Sequence, residues 1–319
     1  MPRAKLIRGA RQLLTLRGPR GPRRGADLGN LGIIQDGALL IAEGRIVEVG
    51  PSRRLENLAV ARGAEEIDAS GRVVLPGFVA SDVRLFGNAN ELSPRGLKAV
   101  ARHVIEDGIR YGTTAIEAKS GPGLTQAAAM KLLRVKAALQ ELPFTLVSTL
   151  VTPDESLLAM PRIRKLTDFA EIRREDAGLL AQARQFGWTV NLQDVVVLNP
   201  LQPFLASQPY PEARALIDRG SAIALAGGVN MQTAITLGCR AMEMTPAEAI
   251  SACTINAAYA IGRARNIGSL EAGKSADLAI LSVPDYRELP YHFGVNLVNL
   301  VMIQGSVRVQ KSEVKWPAR

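Results

Sequence analysis

Two short strand-like runs set chemistry-bearing side chains at alternating positions. Ser81-Asp-Val-Arg84 places a carboxylate at 82 and a guanidinium at 84 on one face of an extended chain. Ile116-Glu-Ala-Lys-Ser120 does the same with Glu117 and Lys119, and Ser120 follows at once. Asp82, Glu117 and Lys119 are residue types that could do acid–base chemistry. Carboxylates and an amine can hold or pass a proton once burial or a charged neighbour tunes them. The same residues also have a plain structural role. Asp82 with Arg84, and Glu117 with Lys119 and its neighbours, would form ion pairs at strand ends.

Metal chemistry is poorly served by the residue types. A mononuclear hydrolytic centre needs about three protein ligands and an open position for water. The chain has two histidines, His103 in an amphipathic stretch and His292 in a Pro-Tyr-His-Phe loop. They are not expected to meet, and His292 reads as a packed side chain rather than a ligand. Cys239 and Cys253 lack zinc spacing and make no disulfide framework. No clustered acidic motif suggests a magnesium or calcium site. Gly227-Gly228 lacks both a GxGxxG pattern and a Walker lysine, so it is weak as a nucleotide signal. No cofactor is expected.

The elements that must position these residues fall into three stretches. Residues 1–75 alternate in the β manner, with Ala38–Gly50 as a hairpin turning at Glu43-Gly44 and Glu66–Leu75 as a turn and strand. From about 76 to 267 short apolar runs alternate with amphipathic ones. Strands are expected at 113–117, 144–151, 189–192 and 222–226, and helices at 93–111, 126–142, 174–186 and 210–219. That alternation implies parallel βαβ units. Thr245-Pro-Ala-Glu248 opens a further helix, with Thr245 as N-cap and Glu248 closing a capping box. From 268 the chain returns to β: strand, turn and strand over 267–281, then a hairpin around Gly305.

Charge is lopsided. Lys and Arg number 39 against 30 Asp and Glu, a net +9, and Arg3, Lys5, Arg8, Arg11, Arg17, Arg20, Arg23 and Arg24 carry much of the excess. Arg17–Gly25 reads as a basic loop. No aromatic residues interleave with the charges to stack on bases, so nucleic acid is not an expected partner. No run reaches the roughly 18 apolar residues that a membrane span requires. A cytoplasmic, reducing location is expected.

Several longer motifs carry a resemblance. Pro76-Gly-Phe-Val79 and Gly268-Ser-Leu-Glu-Ala-Gly-Lys-Ser-Ala-Asp-Leu278 resemble the amidohydrolase superfamily. Gly112-Thr-Thr-Ala-Ile-Glu-Ala-Lys-Ser-Gly121 and Asp285-Tyr-Arg-Glu-Leu-Pro-Tyr-His-Phe-Gly-Val-Asn296 are similar to the imidazolonepropionase family within it, as are Arg240–Ala249 and Thr254–Ala258. The resemblance implies an α/β fold: a (β/α)8-type (TIM) barrel over 76–267 plus a small β-sandwich domain built from 1–75 and 268–319. It implies a site at the C-terminal ends of the barrel strands. It also implies a zinc or iron ion in the family, and hydrolysis of a cyclic amide C–N bond in histidine degradation.

Laid onto this chain, the family's ligand positions fall on Asp82, Arg84, Gln193 and Gly228. An arginine has no lone pair to give, a neutral amide is a poor ligand beside imidazole, and glycine has no side chain. The family's tyrosine position holds Pro122, and its general-base position falls near Val196. Glu117, Lys119, Ser120 and Asn230 match, with Lys119, Ser120 and Asn230 as vestigial substrate-binding positions. The stretch from Val197 to about Pro209 is shorter than the family's, so the barrel is expected to be incomplete if a strand and helix are missing there. The expectation is a homologue that has lost metal-dependent hydrolysis and serves in binding or scaffolding, with a protein partner or a second copy of itself. The alternative is an active hydrolase converting imidazolone propionate to formimino-glutamate at a site remodelled around Asp82, Glu117 and Lys119. A third reading, a polyanion binder acting through the N-terminal arm, trails both. The small-molecule ligand is left open.

Overall fold

The computed structural model describes residues 4–310 apart from 84–91, 121–124, 140–141, 152, 154, 173–174 and 191–193. The N-terminal segment supplies β1 (Lys5–Leu14), β2 (Ile33–Ala42), β3 (Arg45–Pro51), β4 (Glu65–Asp68) and β5 (Val73–Pro76). The two apolar patches at Leu6 and Leu13 lie on the single long strand β1. The β2–β3 hairpin turns at Glu43-Gly44, both at positive φ, the geometry that matches strand twist in a two-residue turn.

The barrel strands follow: β6 (Phe78–Val83), β7 (Thr113–Ser120), β8 (Thr145–Val151), β9 (Phe169–Glu171), β10 (Val196–Leu198) and β11 (Ile223–Leu225). The C-terminal segment adds β12 (Leu278–Leu281), β13 (Val298–Ile303) and β14 (Ser306–Gln310), with the last hairpin turning at Gln304-Gly305. The strand expected just after Ile267 does not form; that stretch is turns up to β12. Its carbonyls and amides are instead spent on loop contacts such as Ser275 N–H to Asn266 and Leu270 N–H to Thr15.

Strands from both ends of the chain share one eight-stranded sheet, in the order β14-β13-β12-β5-β1-β2-β3, with β4 parallel to β1. The crossing pair is β5 with β12, where Val74 faces Ile280. One side of this sheet closes over Ile7, Leu13, Leu39, Val74, Leu278 and Ile280. Another set, including Leu14, Leu75 and Val298, is continuous with the barrel core of Phe78, Ile116, Val147 and Ile223.

In the barrel, β6, β7, β8 and β9 are parallel neighbours, Ala170 bridges onward to Val190, β10 pairs with β11, and Ala226 bridges back to Ser81 on β6. The described residues thus show seven parallel strand positions around the ring. Helices cover the outside. The helix Pro94–Arg110 starts on a Ser93 cap that accepts from the Gly96 amide, and it buries Leu97, Ala101, Ile105 and Gly108, one stripe at helical spacing. The capping box read at Thr245 and Glu248 is formed, and Arg214 adds two 3.0 Å bonds to the same carboxylate.

A short connection also lies before residue 197. Residues 197–209 carry the end of β10 and a helix, Leu201–Ala206, within the β10–β11 connection. The abrupt step is from Val190 to Val196. A parallel crossover needs about ten residues or more to run back outside the barrel, and the five residues from 191 to 195 are fewer than that.

The start of β11 is tied to the N-terminal loop by one side chain. Asn256, wholly buried, accepts from the Arg23 amide at 2.7 Å and donates at 2.9 Å to both the Arg23 and Ile223 carbonyls. Asn256→Ala would strand these buried groups. A loss of roughly 2–4 kcal/mol is expected, since each unmet buried partner costs about 1–3 kcal/mol. Urea unfolding measures it, and a loss under about 0.5 kcal/mol, the size typical of an exposed site, would show that the anchor contributes little.

Candidate functional site

The catalytic candidates meet at the C-terminal end of the barrel. Glu117, 1% exposed, points inward from β7. Its Oε1 accepts from the Thr149 hydroxyl on β8 at 2.7 Å, and its Oε2 accepts from the Asp82 amide at 3.2 Å. Two residues on, Lys119 shares that face. Its ammonium lies 2.7 Å from Glu171 on β9, 3.7 Å from Asp82 on β6 and 4.0 Å from Glu117. Four neighbouring strands each place one side chain around a single cation or its carboxylates, which is what the inward alternation of a parallel barrel permits.

Asp82 reaches this cluster through a local irregularity. The β6–β7 register slips between Ala80 and Val83, and Asp82 takes φ +56°. Aspartate tolerates the left-handed region better than most residues. The slip turns the Asp82 amide toward Glu117 while its carboxylate faces Lys119. The salt bridge expected between Asp82 and Arg84 falls partly outside the described residues, because Arg84 is among those left undescribed. The same holds for Pro122 and Gln193.

Electrostatics follow from burial and company. Burial pushes the Glu117 carboxyl above its ordinary range, against the pull of Lys119, the Thr149 hydroxyl and the Asp82 amide. Burial also pulls Lys119 down, but Glu117, Glu171 and Asp82 together outweigh it and hold the ammonium above the usual lysine value. Lys119 is thus a fixed cation at neutral pH. The group with proton affinity to spare is Glu117.

Ser120 faces away from this cluster. It lies 2% exposed between β7 and the helix Gln126–Leu139, where its hydroxyl accepts from Lys136 at 2.8 Å. Lys136 also donates to the Ala118 carbonyl at 2.6 Å, is fully buried and has no carboxylate bonded to it among the described residues. Asn230 caps the helix Met231–Ala241 by accepting from the Thr233 amide. Gly227 and Gly228 both adopt positive φ just past β11. Gly228 lines a cavity of about 630 Å³ with Asp82, Val83, Asn199, Leu201 and Gln202. Val196, at the family's general-base position, is exposed on β10 and carries no ionisable group.

The histidines stay apart from the site. His103 pairs with Asp107 on an outer helix, and His292 lies 3.6 Å from Glu288 in the loop before β13, exposed rather than packed. Sequence reasoning missed Glu171, because a three-residue strand carries too little pattern to read. It also missed Lys136, for which a signal exists: Lys136 falls on the Ala129-Leu132-Leu133-Leu139 stripe of an amphipathic helix.

Among the described residues, no three His, Cys, Asp or Glu side chains form a group able to hold a metal ion. The donor chemistry agrees. The carboxylates around Lys119 come singly from three strands and are already engaged by its ammonium, the Thr149 hydroxyl and the Asp82 amide, and no imidazole or thiolate joins them among the described residues, so this donor set does not fit a zinc or iron ion.

Comparison with known proteins places the chain. The amidohydrolase family profile matches residues 211–308. The imidazolonepropionase of Parabacteroides distasonis is 31% identical, over 95% of this chain and 98% of the relative. That of Symbiobacterium thermophilum is 31% identical, over 97% and 98%. The first alignment runs over 408 residues, longer than the 319 of this chain, so internal segments of the relative have no counterpart here. Among solved structures, the atrazine chlorohydrolase TrzN from Arthrobacter aurescens, complexed with zinc, superposes with a TM-score of 0.69 at 15% identity, covering 96% of this chain and 95% of that one. The guanine deaminase of E. coli gives 0.65 at 14%, covering 98% and 100%. The α/β barrel fold is therefore the one the sequence motifs implied.

Lys136 yields a pH signature. Burial lowers its pKa from 10.5 to about 7, only partly offset by Glu117 and Asp168. Between about 7 and 10.5 the unfolded chain holds a proton that the native state lacks, so stability should rise with pH across that window. Each pKa unit of displacement is worth roughly 1.4 kcal/mol. Lys136→Met should flatten the slope of urea stability over pH 7–10. A variant as steep as the parent would assign the titration to another group.

Proposed function

The chain belongs to the imidazolonepropionase family of the amidohydrolases, and from that premise we propose that it is a member which has given up metal-dependent ring hydrolysis and acts as a binding or scaffolding protein. The observation that carries the reading is the Lys119 ammonium, ringed by Asp82, Glu117 and Glu171. Opening a cyclic amide requires an activated water and a polarised carbonyl, which a metal supplies together. A divalent cation bound at Asp82 would stand against an ammonium already within 3.7 Å of the same carboxylate. The residue types at the positions matching the family's ligands point the same way: Arg84, Gln193 and Gly228 offer no strong metal donor.

What the chain retains is a barrel with an accessible mouth. The cavity beside Asp82 and Gly228 is large enough for a small ligand, and its walls are mixed rather than purely apolar. Lys119, with Glu117, would orient such a ligand by charge. Ser120 and Asn230 are engaged with Lys136 and the helix cap and would contribute indirectly at most. Two free thiols, Cys239 and Cys253, suit a reducing cytoplasm, and no helix among the described residues is long and apolar enough to cross a membrane. A protein partner or a second copy completes the reading of a scaffold.

The test is turnover. Purified protein supplied with zinc, iron or manganese should leave imidazolone propionate unopened beyond the uncatalysed rate. Metal-dependent formation of formimino-glutamate would overturn the proposal and restore a hydrolytic role to Asp82 and Glu117.

A further inference from the structure

A second cavity, of about 650 Å³, lies near the opposite end of the barrel, beside the N-terminal end of β11. It is bordered by the 17–25 loop, the helix Ile255–Ala260 and the turns around 264–274. Its charged lining is one-sided: Arg20, Arg23, Arg265 and Lys274 against Glu271 alone. Glu271 is already engaged, accepting from Ser269 at 2.5 Å and lying 3.3 Å from Lys274.

Arg23 sets this cavity apart from an ordinary basic surface. It is 4% exposed, and no carboxylate pairs with it among the described residues. One of its nitrogens, Nη2, donates to the Leu16 carbonyl at 2.9 Å, while the buried Nε has no partner. Its backbone is clamped on both sides by Asn256. Gly18 lies directly over the guanidinium, so that a Cβ there would fall 2.2 Å from both Nη atoms. The loop therefore holds a guanidinium rigidly in a cavity wall and leaves it without a counter-ion. A buried charge of that kind is costly unless an anion joins it. Lys274 on the same wall is already engaged, donating to the Ala264 carbonyl at 2.7 Å and to the Ser269 hydroxyl at 2.6 Å beside Glu271.

We propose that this cavity binds a small anion bearing a phosphate group, with Arg23 as its fixed fork of donors and Arg20 and Arg265 closing on it from the surface. With Lys274 paired to Glu271, three guanidinium groups remain, and these call for a dianion rather than a single carboxylate. The planar guanidinium fork matches phosphate oxygens in pairs. The site shares no lining residue with the cavity at the barrel mouth, so it stands whether or not the chain hydrolyses anything.

Calorimetric titration of the full chain tests it, in phosphate-free buffer at fixed salt, with inorganic phosphate in one arm and glycerol phosphate in the other. One saturable site per chain is expected. Binding in both arms assigns the phosphate group itself as the ligand, and binding of the ester alone assigns an organic phosphate. Arg23→Gln should weaken binding roughly tenfold or more, about 1.4 kcal/mol or above. Because Arg23 is buried, the double substitution Arg20→Ala with Arg265→Ala serves beside it: both side chains are exposed, so the melting temperature should hold while affinity falls. No saturable heat in either arm, or affinity unchanged in the double variant, would overturn the proposal.

Discussion

Glu117 sits almost wholly out of water in the interior of a parallel barrel, and such a carboxylate is tolerable only in the company of a cation and good hydrogen bonds. Lys119 supplies the cation, Thr149 and the Asp82 amide supply the bonds, and Glu171 and Asp82 balance the ammonium in turn. The arrangement recruits β6, β7, β8 and β9 to one point. It accounts for the slipped register at Asp82, for the fixed charge of Lys119 and for the raised proton affinity of Glu117. Removing Lys119 would leave the buried Glu117 carboxyl without its cation.

The same constraint bears on chemistry. Carboxylates from three strands converging at a barrel mouth resemble a setting for a metal ion, yet the positive charge at their centre is covalently part of the chain. An ammonium neutralises carboxylates as a metal would, but it cannot lower the pKa of a bound water or polarise a carbonyl as a Lewis acid. On the reading proposed here, a family scaffold keeps its architecture and its electrostatic balance while losing the element that drives hydrolysis.

Much of this was legible in the sequence. The β hairpins at Glu43-Gly44 and Gly305 and the Thr245 capping box are local patterns and formed as read, as did most of the strand–helix alternation; of the strand expected at 189–192 the described residues show a single bridge at Val190. Glu117, Lys119 and Asp82 were singled out because they fall on family site positions, and the fold brings the three together. What the sequence hid was long-range. Glu171 comes from a strand of three residues, too short to show a period. The short connection between Val190 and Val196, ahead of the β10–β11 pair, was not read from the sequence. Ser120 was grouped with Lys119 because both match the family's stretch, but neighbours on a strand face opposite ways, and Ser120 belongs to the helix side with Lys136.

The most direct measurement of the central claim is the metal content of the protein, by plasma mass spectrometry, after growth with added zinc and iron and gel filtration without chelator. If Lys119 supplies the positive charge at the barrel mouth, both metals should be near zero per chain. One metal ion per chain would contradict the account and would mean that a donor set other than the Lys119 cluster holds it.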